Sequence, residues 1–224
     1  MRVSTGSVKT VARAGIQKVS GMNENAIVSL ADWRRRVSDL YGRIRNASDP
    51  VSGWKDWRET RDILFRFHPQ SPIDRGSRST HAGVPLFEHN PTARFLVDVE
   101  VVANAVEEVW EIGPDGALRL VPGLRTRGLR ETLGGELTIY QIKGYGGGLF
   151  LPFKDATSGR ETYGGGRYLL DTIKGADLGM EDGKLVLDFN FAYHPSCRYS
   201  DSWVCPLAPN ENSLAAEVRA GERL

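Results

Sequence analysis

The chain has 224 residues, and its 29 Lys and Arg residues nearly equal its 28 Asp and Glu residues. A surface that is neutral on average does not concentrate polyanions, so neither nucleic acid nor an anionic membrane is expected as a partner. No apolar run approaches the roughly 18–20 residues that cross a bilayer, and the N-terminus lacks the apolar core of an export signal. The sequence therefore predicts a folded, cytoplasmic protein.

Residues 1–21 contain four basic residues, no acidic residue and few groups to bury. We predict that this segment is a disordered basic extension. It is either a transit peptide or an upstream extension of a chain that naturally begins at Met22, and we favour the second interpretation. Residues 22–224 are then expected to form one β-rich domain with N-terminal helices, because this length suits a single core.

Two helices are predicted at the start of this domain. The first covers residues 29–45, where Ser29 and Asp32 fit a capping box and apolar residues recur at three- and four-residue steps. Its arginines lie mostly on the polar side, which favours a solvated face over a phosphate-binding surface. The second helix covers residues 54–67 and stops at the proline-containing segment that follows.

Short apolar runs separated by turns fill residues 93–193, after a long loop at 70–92. This pattern predicts a mainly β fold, an antiparallel β-barrel or sandwich with an α-helical N-terminal cap. The short strands also allow an analogy with flavin-binding split barrels. A short helix is predicted at residues 214–223. The predicted strands cover residues 94–102, 105–112, 117–121, 124–133, 136–143, 148–153, 163–173 and 184–193.

Two sequence blocks in the C-terminal half resemble a known family. The first is LFLPFKDATSGRETYGGGRY at residues 149–168, and the second is LDFNFAYHPSCRYS at 187–200, followed by CPLAPNEN at 205–212 and AGE at 220–222. Together they resemble the domain-of-unknown-function 1684 family. The resemblance implies membership of that family, but it implies no activity, cofactor or catalytic residue.

The glycine-rich run at residues 157–168 has two interpretations. Its backbone N–H groups and hydroxyls could bind a phosphate or carboxylate. A dinucleotide-binding loop, however, needs its glycines between a strand and a helix, whereas Tyr168 continues into a predicted strand. A glycine-rich hairpin turn or bulge is therefore the favoured interpretation.

Asp188 and Asn190 lie two residues apart in a predicted strand and so share one face. That polar face either meets solvent or lines a pocket. Arg167 begins a nearby strand, and its guanidinium can bind a carboxylate through two hydrogen bonds. We therefore predict that Arg167 lies close to Asp188 or Glu161, as a structural ion pair or as part of a ligand pocket.

Cys197 and Cys205 lie in a loop bounded by prolines, and His194 precedes the first cysteine by three residues. An imidazole beside a thiol could create a nucleophile, but the sequence supplies no third group to orient it. His81 and His89 would complete a zinc site only with unusual spacing. We predict two unbridged thiols that bind no zinc.

The leading hypothesis is a small-molecule-binding β domain, with enzymatic activity left open. Its pocket would be built from the turn at 157–167, the Asp188 and Asn190 face and the loop at 193–205. The alternative is a non-catalytic protein-interaction module with Phe153, Tyr199 and Trp203 on its surface. The ligand, any cofactor and the oligomeric state are not predicted. The ligand-binding candidates are Thr157, Ser158, Glu161, Thr162, Tyr163, Arg167, Asp188, Asn190, Tyr193 and Cys197.

Overall fold

The computed structural model describes residues 24–224, so the predicted basic extension at 1–21 lies outside the described residues. Two helices open this part of the chain, α1 (Glu24–Arg45) and α2 (Pro50–Phe67). The α2 helix begins where the Asp49 side chain accepts hydrogen bonds from two backbone N–H groups of the first turn. Both predicted helices are confirmed, although each begins a few residues earlier than predicted.

Ser29 lies inside α1 and not at its start, so the predicted capping box is wrong. Asp32 instead accepts a hydrogen bond from Arg36 one turn further along, at 2.7 Å. Arg43 likewise binds Asp56 of α2 at 2.7 Å. Several arginines of α1 are thus paired with carboxylates at the surface, which fits the solvated-face interpretation.

The rest of the fold is an antiparallel sheet of eight strands that forms a half-barrel, in the order β6-β5-β4-β3-β1-β8-β7 with β2 beside β3. The mainly β prediction is confirmed. A single helical turn, α3 (Arg130–Leu133), follows β3. The strands are β1 (Arg94–Val101), β2 (Glu108–Glu111), β3 (Ala117–Arg127), β4 (Thr138–Ile142), β5 (Gly148–Phe153), β6 (Arg167–Asp171), β7 (Met180–Glu181) and β8 (Lys184–Asp188).

Strand β1 changes partner at its middle. Its first half pairs with β8, where Arg94 lies opposite Asp188. Its second half pairs with β3, where Asp98 lies opposite Arg127. The strand thereby joins two parts of the sheet that are far apart in sequence.

Three element predictions are wrong, each because a side chain or another segment binds the backbone. The strand predicted at 124–133 ends at Arg127, because the buried Glu136 carboxylate accepts the N–H groups of Gly128, Leu129 and Arg130. Strand β8 ends at Asp188, whose carboxylate caps a short 3-10 turn. Residues 214–223 form no helix, because their backbone groups bond to other segments, as when Glu222 N donates to Ala192 O.

The sheet is covered on both faces. One cluster fills the half-barrel and includes Leu151, Phe153 and Phe189. The other lies between the sheet and the two long helices and includes Trp57 and Phe150. Strand alternation explains the division, since Phe150 and Leu151 are neighbours on β5 that point to opposite faces. None of the helices in residues 24–224 has the length and apolar character that a membrane span requires.

Candidate functional site

A partly enclosed pocket of about 60 Å³ lies where the two long helices meet the sheet. That volume is enough for a few water molecules or a small organic group. Its wall includes residues of both blocks that carry the family resemblance. The lining residues are Trp33, Val37, Tyr41, Arg61, Phe65, Pro72, Tyr168, Lys174, Ala176, Tyr193, His194, Pro195, Ser196 and Tyr199.

A buried ion pair between Arg61 and Glu222 stands beside this pocket. Arg61 Nε donates to Glu222 Oε1 at 2.8 Å, and its Nη2 donates to the same oxygen. The second carboxylate oxygen accepts the His194 backbone N–H at 2.6 Å and the Tyr199 hydroxyl at 2.8 Å. The Glu222 side chain is fully buried, whereas the Arg61 side chain is 13% exposed. Both carboxylate oxygens are thus fully used, while part of the guanidinium is accessible.

Two hydrogen-bond donors of the pocket wall have no partner in residues 24–224. Arg61 uses Nε and Nη2 for Glu222, and its Nη1 donates to no protein acceptor. The Tyr193 hydroxyl also has no protein partner, and desolvation raises the pKa of Tyr193 well above its ordinary value. A neutral phenol and a guanidinium therefore offer donors to an acceptor that enters from outside.

Aromatic rings form most of the remaining wall. The Arg61 guanidinium lies 4.8 Å from the centre of the Phe65 ring and 5.0 Å from that of Tyr193. Tyr168 and Tyr193 contact edge to face at 5.7 Å. Lys174 lies 5.4 Å from the centre of the Tyr168 ring and pairs with Asp171. The wall therefore combines flat apolar surfaces with two cations.

His194 is held by the backbone and is not free to act as a base. Its Nε2 accepts the Tyr163 N–H at 3.2 Å, so the ring proton is assigned to Nδ1. Desolvation, together with the nearby cations Arg167, Arg198 and Arg61, lowers the pKa of His194 to about 3. The imidazole is neutral at physiological pH and serves as an acceptor for the turn that contains Tyr163.

The predicted pairing of Arg167 with Asp188 or Glu161 is wrong. Arg167 is fully buried and pairs with Asp155, whose Oδ1 lies 3.3 Å from Nη2. The same guanidinium donates to the carbonyl oxygens of Ala220, Glu222 and Val218. Arg167 thus fastens the last residues of the sequence to the sheet, and sequence reasoning overlooked Asp155, which lies inside the first family block.

The glycine-rich run also binds mainly to itself. Thr157 Oγ1 donates to Asp155, and it lies 2.9 Å from Thr162 Oγ1. Ser158 accepts the Asp155 N–H. Glu161 lies nearer the surface and binds Arg219 with an N–O distance of 2.9 Å. These contacts fit a tightly bonded turn, while a ligand-binding role for Thr157, Ser158, Glu161 and Thr162 stays a prediction.

Asp188 and Asn190 lie at a second cavity of about 210 Å³, together with His89 and Arg94. Asp188 Oδ1 accepts hydrogen bonds from the backbone and side-chain nitrogens of Asn190. Desolvation outweighs these bonds and raises the pKa of Asp188. The Asn190 side chain also bonds to both backbone groups of Asn90. The predicted single pocket is therefore divided, with Tyr193 at the first cavity and Asp188 at the second.

The two cysteines are free thiols that contact each other. Cys205 Sγ accepts the backbone N–H of Cys197 at 3.4 Å. The Cys197 sulfur lies 3.9 Å from the Tyr163 hydroxyl. In the described part of the chain, no group of three His, Cys, Asp or Glu side chains is arranged to hold a metal ion. The predictions of unbridged, zinc-free thiols in solution stay predictions.

The aromatic docking patch of the alternative hypothesis does not form as predicted. Phe153 is fully buried in the half-barrel core, and Tyr199 packs edge to face against Phe65. Trp203 is exposed. The prediction of a surface patch that combines all three side chains is therefore wrong, because Phe153 on strand β5 points into the core.

Sequence reasoning missed Arg61 and Lys174 as pocket residues, and Glu222 as the buried partner of Arg61. Glu222 lies in the AGE segment of the family resemblance, which is the one signal that pointed to it. Arg61 lies within a helix that carries several other arginines, so only the fold distinguishes it.

By its fold, the protein is an antiparallel β half-barrel covered by two N-terminal helices, with a pocket between them. The model of the family "Protein of unknown function (DUF1684)" matches residues 79–223. The chain belongs to this family. It is similar to the solution NMR structure of an uncharacterized protein of Haloarcula marismortui, with 30% identity, a TM-score of 0.54, and coverage of 81% of this chain and 97% of that chain. None of the curated proteins matches.

Proposed function

We propose that the protein binds the carboxylate end of a small planar organic acid in the aromatic pocket beside Arg61, with the rest of the ligand extending through the open side of this partly enclosed pocket. The single observation that supports this proposal most is the pair of unpartnered donors, Arg61 Nη1 and the Tyr193 hydroxyl, in an aromatic wall. A carboxylate accepts hydrogen bonds from a guanidinium and a hydroxyl at once. Aromatic faces bind a flat apolar body.

Charge also favours an acidic ligand over a basic one. Glu222 has both oxygens occupied by protein donors, and Asp171 pairs with Lys174 at 3.1 Å. An ammonium group would therefore find no free carboxylate oxygen of Glu222, whereas a carboxylate would find the free Nη1 of Arg61. Binding without catalysis is the proposed activity, because the His194 Nε2 is already occupied by the Tyr163 N–H.

The test is a ligand-observed NMR screen with benzoate, its neutral analogue benzamide and its basic analogue benzylamine. We expect benzoate to bind and the other two compounds, which lack a carboxylate, to bind at least about tenfold more weakly. A tenfold loss corresponds to about 1.4 kcal/mol. Absence of binding by benzoate and by a wider panel of aromatic acids would refute the proposal.

The variant Tyr193→Phe removes one hydroxyl and keeps the ring. Because this hydroxyl bonds to no described residue, we expect an unchanged melting temperature and an affinity for benzoate that falls about tenfold. Tyr145→Phe is the matched control, since Tyr145 is fully exposed and lines no part of the pocket. Equal affinity of wild type and Tyr193→Phe would contradict the assigned site.

A further inference from the structure

A loop with two partly exposed cysteines lies next to the aromatic pocket. Cys197 is in a short 3-10 turn, and Cys205 follows eight residues later, between exposed Val204 and Pro206. Pro195 and Ser196, which precede Cys197, line the pocket. The backbone N–H of Cys197 donates to Cys205 Sγ at 3.4 Å, so the two cysteines lie side by side. Two cysteines this close can form a disulfide without a large backbone movement.

We propose that Cys197 and Cys205 form a redox-active dithiol, a modification site at which a hydroperoxide converts two thiols into one disulfide.

Cys205 is the attacking sulfur, because its surroundings stabilise a thiolate. Hydrogen bonds from the Cys197 thiol and from the backbone N–H groups of Cys197 and Ser196, with the charge of Lys174, lower the pKa of Cys205 to about 6 despite desolvation. The Cys197 pKa is raised, first by its hydrogen bond to Cys205 and then by desolvation. At neutral pH, Cys205 is therefore mainly a thiolate and Cys197 a thiol.

Tyr163 and Tyr168 also lie near this pair. Desolvation raises the pKa of Tyr163 and of Tyr168, so both phenols are neutral at physiological pH. Lys174 is the cation that lowers the pKa of Cys205, and Arg198, the next residue after Cys197, is a second cation, which acts on Tyr163. The Cys205 thiolate therefore persists to a lower pH than the thiolate of an ordinary cysteine.

The chemistry balances in two steps. The Cys205 thiolate attacks one peroxide oxygen, so that an S–O bond forms, the O–O bond breaks and the second oxygen leaves and takes up a proton. The peroxide gains two electrons, and Cys205 becomes a sulfenic acid. The Cys197 sulfur then attacks the Cys205 sulfur, the S–S bond forms, and the S–O bond breaks. The hydroxyl leaves as water with the Cys197 proton. A small dithiol then reduces the disulfide back to two thiols and is itself oxidised to a disulfide.

The first test treats the wild-type protein with a small excess of hydrogen peroxide at neutral pH. We expect titration under denaturing conditions to lose both thiols, the intact mass to fall by two hydrogen atoms, and the chain to stay monomeric on a non-reducing gel. Dithiothreitol should restore both thiols. Two titratable thiols after peroxide, or a disulfide between chains, would overturn the proposal.

Serine variants separate the roles of the two sulfurs. Cys197→Ser should stop at a Cys205 sulfenic acid, which dimedone labels. Cys205→Ser should consume peroxide at least about tenfold more slowly, because its remaining thiol is protonated. Dimedone labelling of Cys197 in place of Cys205 would contradict the assignment.

A pH series on the wild-type chain tests independently whether Cys205 is a thiolate at neutral pH. Alkylation of Cys205 by iodoacetamide, followed by peptide mass spectrometry, should rise with pH to a plateau with a midpoint near 6, and Lys174→Met should move this midpoint upward. A midpoint at the ordinary cysteine value of roughly 8.5 would count against the proposal. These measurements use no pocket ligand, so their failure leaves the proposed function untouched.

Discussion

Arg167 shows how a single buried charge can hold two distant segments together. Its side chain is buried with that of Asp155, and its Nη2 donates to the carbonyl oxygen of Val218 at 2.9 Å. Desolvation lowers the pKa of Arg167 against the opposing effect of Asp155. The cost of burial is offset by Asp155 and three carbonyl oxygens, although Nε has no partner among the described residues, so the geometry of the guanidinium matters as much as its charge.

We predict that Arg167→Lys destabilises the fold by roughly 3 kcal/mol, because one ammonium cannot reach Asp155 and the three carbonyl oxygens together. The measurement is the free energy of unfolding from urea titration. Arg219→Lys is the matched control, since Arg219 forms an exposed pair with Glu161 and should change stability by less than about 0.5 kcal/mol. Equal effects of the two variants would show that Arg167 acts as charge alone.

Among the elements, the closing segment at residues 213–224 is held by backbone hydrogen bonds to several distant parts of the fold. It has no helix or named strand, yet its backbone bonds join Leu214 to Lys154, Ala216 to Leu133 and Leu224 to Glu161. Gly221 packs against the backbone of Phe189 and Ala192, just after strand β8. Its φ is +76°, and an added Cβ would lie 2.4 Å from Ala192 O.

We predict that Gly221→Ala destabilises the fold by about 3 kcal/mol or more, because the methyl group meets backbone atoms that cannot move away. Gly183→Ala is the control, because it introduces backbone strain at a positive φ without a steric clash. Gly183 has a similar φ of +78° but open space where a Cβ would lie, so it should lose only about 1 kcal/mol. Thermal melts of both variants measure the difference, and similar losses would argue against the steric explanation.

At the scale of the whole molecule, local patterns predicted the elements better than they predicted the site. Helix periodicity located α1 and α2, and alternation with turns located the β region. The strand at 124–133 was misjudged because the Glu136 carboxylate binds the N–H groups of residues 128–130. The Arg61 and Glu222 pair joins residues 161 positions apart, and no local pattern indicates such a contact.

That separation has a consequence for how the chain reaches its native state. A contact between residues distant in sequence forms only when the chain between them is closed into a long loop, which costs conformational entropy. The Glu136 contacts span at most ten residues and can form early, whereas the Arg61 and Glu222 contact needs the helices, the sheet and the closing segment together. The aromatic pocket is therefore expected to be assembled after the rate-limiting step of folding.

Stopped-flow refolding and unfolding in urea can check this order of events. Glu222→Gln should accelerate unfolding about tenfold and leave the refolding rate nearly unchanged, because a contact absent from the transition state acts only on the reverse rate. Glu136→Gln should instead slow refolding. If Glu222→Gln slowed refolding to the same degree, pocket assembly would belong to the nucleus. Under the predicted order, every newly made molecule passes through a nearly folded stage in which the sheet exists but no ligand can yet be held.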